Sequence, residues 1–356
     1  MRLTRVIATL EPGGAQLGVL RATVALRRHG VVTRVLAGHA TKEGRRLFAT
    51  AGVPVEVWPQ GDAGLQYEPR PDFSGWLAAR LNDADLVHAH MFGAWWAAAH
   101  AVRIGVPLVA SEHNALRWPG RPRGQELEAA LGRVDLLFAH GPSTRALFTQ
   151  LGVGPDRLRS GASAIDGIDA RPLRGLPSPR IVFAGRLHRE KGPDLLLEAL
   201  ALLHERPPTL ILGAGPLEKQ LKRLTRRRRL ERSVRFCGWR PNAPRFIAGS
   251  SVCVVPSRRD AWSQSAVTAM GLGVPVVATA VEGLPATLGS NRGVLVAPED
   301  PEALAAGIEG ALSGDMPVDR EEARAYAQRF MPDRVARAYA EEYRRLLSGR
   351  SAIEAA

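Results

Sequence analysis

Short apolar runs rich in β-branched residues alternate with helix-length segments from near the first residue to about residue 300, and this alternation limits the possible folds more than any other feature. Strands separated by roughly 10–15 helical residues cannot be joined by tight turns; they need crossovers, which build βαβ units and a parallel sheet. Strands are expected near 2–9, 31–37, 53–58, 84–90, 106–112 and 134–139, and again near 180–184, 208–213, 233–237, 250–255, 274–278 and 292–297. Between the two sets, RSGASAIDGIDARPLRGLPSPR is rich in Gly, Pro and Ser without a helical period, which places a linker around 160–178. The chain of 356 residues has room for two domains of this kind. The expectation is therefore α/β: two doubly wound Rossmann-like domains at 1–165 and 172–328, with the amphipathic stretch 329–356 packing back on the first. Ligands of such sheets lie beyond the carboxyl ends of the strands, so a cleft between two facing halves is where a shared substrate is expected.

Composition narrows the function. At 45% hydrophobic residues the chain can bury sizeable cores, which excludes wholesale disorder. No window holds the ~18–20 unbroken apolar residues of a membrane span. The apolar run before Glu11 is too short for a secretory signal, so a cytosolic location is expected. Two cysteines, Cys237 and Cys253, are too few for a disulfide framework, and their strand-like surroundings point to packing. Forty-eight Lys and Arg against 35 Asp and Glu give +13, which favours anionic partners: phosphorylated ligands, an anionic membrane surface or nucleic acid. The densest cluster, Lys222-Arg223 with Arg226–Arg229, lies on a helical pattern; it reads as a solvated face or a peripheral membrane patch. No zinc-finger, RNP or helix-turn-helix pattern accompanies it, so nucleic acid is not expected as a partner.

Four places concentrate chemistry. Gly185, Arg186 and Lys191 follow a strand and precede a helix; a guanidinium fork, an ammonium and a helix N-terminus together suit a phosphate chain, although an Arg and a Lys so spaced also fit a solvated surface. Gly13-Gly14 follow the first strand, where absent side chains admit close approach of a ligand, or simply a loop; the pattern is not GxGxxG, so a dinucleotide is poorly supported. His88 and His90 alternate on one strand, with too few companions for a metal site, and His113 ends the next strand, where a general acid/base or a donor to a substrate oxygen would be placed, although a strand-end histidine fits a structural role as well. Asp260 precedes a helix whose N-terminus near Gln264 and Ser265 also favours anions, and capping alone would explain it.

In combination and in order, GGAQ (13–16), DLVHAH (85–90), SEHN (111–114), GRLHREKG (185–192), LGAGP (212–216), VRFCGW (234–239), VPS (255–257) and AMGLGVPVVAT (269–279) resemble the GT4 family of retaining glycosyltransferases with the GT-B fold. The resemblance implies a nucleotide-diphospho-sugar, with a UDP-sugar as first choice, and no cofactor or divalent metal. It assigns Arg186 and Lys191 to the diphosphate, His113 to the donor sugar and the transition state, and Gly14 to the loop whose backbone approaches the phosphates, with Gly13, Gly185 and Gly215 expected among the donor-binding residues. Trp239 and Arg240 match the stretch that meets the base. The family usually carries two glutamates where this chain has Asp260 and Thr268; Asp260 keeps the charge on a shorter stem, and Thr268 offers one hydroxyl. Loss of a charged hydrogen bond costs ~1.5–3 kcal/mol, which weakens donor binding rather than changing the reaction. The acceptor is expected on the first domain, at Gln16, Trp95, Asn114 and Arg117, with the indoles of Trp95 and Trp96 read either as stacking platforms or as core. The implied activity is retaining transfer of a hexose or N-acetylhexosamine to a carbohydrate-containing acceptor, a secondary metabolite or a cell-envelope glycan or glycolipid. Two other classes fit the departures: a degenerate nucleotide-binding relative, and a nucleotide-sugar epimerase.

Overall fold

A computed structural model describes residues 1–113, 124–315 and 317–354. The chain divides into two compact units, one formed by Met1–Ala164 with Pro332–Ala356 and the other by Ile165–Met331. The crossing at Ala164 and Ile165 lies near the amino-terminal end of the Gly/Pro/Ser-rich stretch.

The first unit contains a seven-stranded parallel sheet: β1 (Arg2–Leu10), β2 (Val32–Ala40), β3 (Val55–Val57), β4 (Leu86–His90), β5 (Leu108–Glu112), β6 (Leu136–Ala139) and β7 (Leu158–Ser160), in the order β3-β2-β1-β4-β5-β6-β7. The second holds six: β8 (Ile181–Ala184), β9 (Thr209–Leu212), β10 (Val234–Gly238), β11 (Val252–Val255), β12 (Val276–Thr279) and β13 (Val294–Val296), ordered β10-β9-β8-β11-β12-β13. All pairings are parallel, for example Arg5 opposite His88 and Val182 opposite Cys253. In each sheet the order reverses once, between β1 and β4 and between β8 and β11, which is where ligands of doubly wound sheets collect.

Because strand side chains alternate, both faces of each sheet carry a core. Val87, Leu108, Ala110 and Leu137 pack on one face of the first sheet, while Leu86, Val109, Leu136 and Phe138 pack on the other. In the second sheet Ile181, Phe183, Ile211 and Val254 alternate likewise with Val182, Leu210, Cys253 and Val255. The terminal helix Pro332–Glu354 covers one face of the first sheet: Val335, Ala336, Tyr339, Ala340 and Tyr343 recur at helical spacing and bury against Leu3, Leu26 and Leu86. At ~1.5–3 kcal/mol per large side chain removed from water, this stripe holds the helix in place.

One strand departs from the sequence expectation. β7 is an edge strand of three residues whose own Arg159 and the preceding Arg157 hide its pattern. Arg157 caps the carbonyls of Leu131 and Val134, and Arg159 pairs with Glu342 at 2.8 Å.

Candidate functional site

In the second unit, backbone contacts at the carboxyl end of β8 create a tight platform. Gly213, at φ 149°, leaves no room for a side chain, since a Cβ there would lie 1.8 Å from the Gly185 carbonyl oxygen; one on Gly215 would lie 2.5 Å from that of Leu187. Gly185 N–H donates to Leu212 O and Gly213 N–H to Gly238 O, each at 2.9 Å, so three strand ends lie side by side. Trp239 and Arg240 follow the third of these ends, the indole half-buried and the guanidinium exposed.

Beyond Gly185 the chain makes a short 3₁₀ turn, Arg189–Lys191, and reverses at Gly192 into the helix Pro193–Leu202. Gly192 has φ 61°, and a Cβ there would meet the Pro256 carbonyl oxygen at 1.8 Å, so only glycine admits this approach between the ends of β8 and β11. The segment after β11 is sewn onto the turn: the backbone N–H groups of Arg258 and Arg259 both donate to Glu190 O, at 2.8 and 3.1 Å. Arg258 then reaches back with a bidentate pair to Asp194 at 2.7 and 2.8 Å, and its Nε donates to Glu299 at 2.6 Å. These carboxylates push the Arg258 guanidinium above its ordinary range.

This stitching brings the predicted residues together. Lys191 Nζ lies 2.8 Å from Asp260 Oδ2, and Ser257 Oγ donates to the same oxygen at 3.2 Å. Asp260 is buried and Lys191 only partly so; an ammonium has three donors, of which Asp260 engages one. Arg186 stays half-exposed, 3.9 Å from Glu190. Ser263 caps the helix Gln264–Gly271 by accepting from Ala266 N–H, and its hydroxyl meets that of Ser265 at 3.2 Å. Gln264 and Ser265 lie half-buried in its first turn, and Thr268 is buried one turn further on. The sequence reading missed Arg258, since nothing in the string PSRRD tells a half-buried clamp from the exposed arginines elsewhere.

In the first unit, Gly13 is the N-cap of the helix Gly14–Leu26 and Gly14 is exposed in its first turn, while Gln16 Nε2 turns back to Thr9 O at 3.3 Å. His88 and His90 share one sheet face with Ser111, His113 and His140, as strand alternation requires. Their rings stack at 4.2 Å, but Arg5 Nη1 lies 2.6 Å from His90 Nε2 and 3.4 Å from His88 Nδ1; a guanidinium there opposes a metal cation. Burial and the Arg5 charge push the His113 imidazole down to about 4. It is therefore neutral near pH 7, a weak base as well as a hydrogen-bonding partner.

Trp95 is corrected by the structure. It is fully buried in the core, with Nε1 donating to Glu112 Oε2 at 3.1 Å, and Trp96 is buried beside it, so neither can stack on a sugar. An indole wedged beneath a sheet has no free face to offer. Asn114 and Arg117, like Trp118 and Arg121–Arg123, lie outside the described residues. The basic helix Glu218–Arg227 buries Leu221 and Thr225 and presents its cations to solvent. Among the described residues no helix is long and apolar enough to cross a membrane.

Two doubly wound α/β units form an architecture that nucleotide-sugar glycosyltransferases share with other enzymes, and comparison with known proteins assigns the chain to that class. Residues 12–167 match the family described as Glycosyltransferase Family 4, and residues 178–314 the family described as Glycosyl transferases group 1. The D-inositol 3-phosphate glycosyltransferase of Xylanimonas cellulosilytica is 30% identical over 94% of this chain and 92% of its own. That of Jonesia denitrificans is 30% identical over 71% of this chain and 69% of its own. The crystal structure of Anabaena HepE in complex with UDP-glucose superposes with TM-score 0.81 at 22% identity, over 96% of this chain and 99% of that one. The chain belongs to glycosyltransferase family 4 and has the GT-B fold.

Proposed function

We propose that the protein transfers a hexose or N-acetylhexosamine from a nucleotide-diphospho-sugar, with UDP as the first nucleotide to test, to a hydroxyl of a carbohydrate-containing acceptor with retention at the anomeric carbon. The observation that carries this reading is the loop Gly185–Gly192, where Arg186 and Lys191 stand at the sheet reversal with Asp260 fixed against the lysine. In this reading Arg186 and the remaining Lys191 donors meet the diphosphate and absorb the charge it takes away, which is where an enzyme gains most. Asp260, held by Lys191 and Ser257, accepts from hydroxyls of the sugar. His113 hydrogen-bonds the sugar, and Trp239 with Arg240 meets the base. The acceptor hydroxyl attacks from the face the diphosphate leaves, and a phosphate oxygen takes its proton, so no enzymic nucleophile is required. The names of the relatives make D-inositol 3-phosphate the first acceptor to try. The exposed cations of helix Glu218–Arg227 support peripheral contact with anionic lipid.

Thermal unfolding across UDP-, GDP- and dTDP-sugars identifies the donor, because a ligand bound to the native state raises the melting temperature by mass action. Product mass with the chosen acceptor distinguishes transfer from epimerisation, and the anomeric proton coupling of the product reports retention. Unchanged rates in EDTA are expected for a metal-independent enzyme. No donor-dependent shift and no transfer with any of the three would sink the proposal. Cosedimentation with anionic vesicles at low salt, lost at high salt, tests the lipid contact.

A further inference from the structure

Three side chains on one face of the first sheet form a directed chain: Arg5 on β1, His90 at the end of β4 and His113 just beyond β5. Arg5 is wholly buried, and no carboxylate among the described residues pairs with it. Burying a guanidinium without a counter-charge is unfavourable, and an aliphatic side chain would serve packing better, so its contacts call for an explanation.

A guanidinium only donates. Its Nη1 lies 2.6 Å from His90 Nε2, so that nitrogen must carry the lone pair. Burial, the neighbouring His88 and the Arg5 charge keep His90 neutral, which leaves its one proton on Nδ1. Nδ1 in turn lies 3.3 Å from His113 Nε2 and donates to it. His113 then holds its own proton on Nδ1; the opposite tautomer would set two N–H groups against each other. The ring of His140 stacks on His113 at 3.9 Å, while Tyr343 and Ser111 meet the two nitrogens of His88, at 2.6 and 2.8 Å, so that His88 has nearer partners than Arg5 Nη1 at 3.4 Å.

We infer that Arg5 and His90 are positioning residues that lock His113 in the neutral Nδ1–H tautomer, so that the nitrogen offered to the substrate is always a hydrogen-bond donor. The role of that donor toward a sugar oxygen rests on the proposed transferase reading; the tautomer itself does not.

The test is a long-range ¹H–¹⁵N spectrum of the full chain carrying ¹⁵N-histidine, with His113 assigned by His113→Gln. A protonated Nδ1 and a bare Nε2 at pH 7 are expected; an Nε2–H form, a mixture of tautomers or an imidazolium overturns the inference. His90→Gln keeps the polarity, since its amide oxygen accepts from Arg5 and its amide nitrogen donates onward, and should preserve the tautomer. His90→Phe breaks the chain, and a folded His90→Phe protein that keeps a pure Nδ1–H tautomer overturns the relay. If His90→Phe does not fold, the wild-type and His90→Gln spectra decide. In transfer assays His90→Phe should lower kcat about five- to tenfold with little change in KM, and His90→Gln should restore it. A wild-type chain with the stated tautomer but without sugar transfer would leave the relay standing and remove the transferase reading.

Discussion

Lys191 Nζ and Asp260 Oδ2 lie 2.8 Å apart, although 69 positions separate them in the chain and they follow different strands. The pair exists because β8 and β11 are neighbours at the point where strand order reverses. It joins a group suited to phosphate with one suited to sugar hydroxyls, so neither can move without the other. Lys191→Ala strands a buried carboxylate with Ser257 as its remaining hydrogen-bond donor. The expected loss is about 2–3 kcal/mol, below the full cost of a broken buried pair because the lysine keeps some solvent. In urea unfolding, Lys191→Ala and Asp260→Ala should be non-additive by about 1–2 kcal/mol; additivity would show that the contact carries no coupling.

Arg186 has no comparable structural role. It is half-exposed and 3.9 Å from Glu190, so Arg186→Ala should change stability by less than ~0.5 kcal/mol. Sugar transfer should nonetheless fall on the order of 100-fold, as for loss of a donor to developing negative charge. Turnover close to wild type would remove Arg186 from the mechanism.

Gly192 is a backbone prediction. With φ 61° and a Cβ that would lie 1.8 Å from Pro256 O, Gly192→Ala must push the two strand ends apart. The strain should cost roughly 1–3 kcal/mol and weaken nucleotide binding more than Arg186→Lys does. A Gly192→Ala protein with wild-type melting temperature and donor affinity would show that the close approach is dispensable.

Trp95 should behave as core. Trp95→Ala is expected to cost ~3–5 kcal/mol by opening a cavity, whereas Trp95→Phe, which loses the bond to Glu112, should leave acceptor KM unchanged. A selective rise in acceptor KM would restore the stacking role that burial denies.

Acid should destabilise the first unit. His88, His90 and His140 are driven well below 6.5, chiefly by burial, and His113 to about 4; the unfolded chain therefore binds protons first as pH drops. Stability is complete above about pH 6.5 and is lost between there and about pH 4, with ~3 kcal/mol from His113 alone at 1.36 kcal/mol per unit. Arg5 adds to the penalty, and the phenols of Tyr339 and Tyr343 remain neutral throughout. Melting temperatures that stay level from pH 7 to pH 4.5 would contradict this.

The alternation of apolar runs with helical segments was enough, read along the chain, to define two parallel α/β sheets, because strand and helix periods are local properties of the side chains. Arg186 and Lys191 were likewise legible as candidates, since their types and spacing after a strand suit an anion, while Asp260 stood out by its place before a helix and by the family resemblance. What the sequence could not say is which strand ends become neighbours. Sheet order alone joined Lys191 to Asp260, turned Arg258 from one arginine among many into a clamp on Asp194, and put Trp95 in the core instead of at a sugar. The same holds for Arg5, a basic residue in an apolar strand, whose purpose appears only when β4 lies beside β1 and brings His90 within hydrogen-bond reach. A one-dimensional pattern fixes which face a side chain takes; only packing decides what waits on that face.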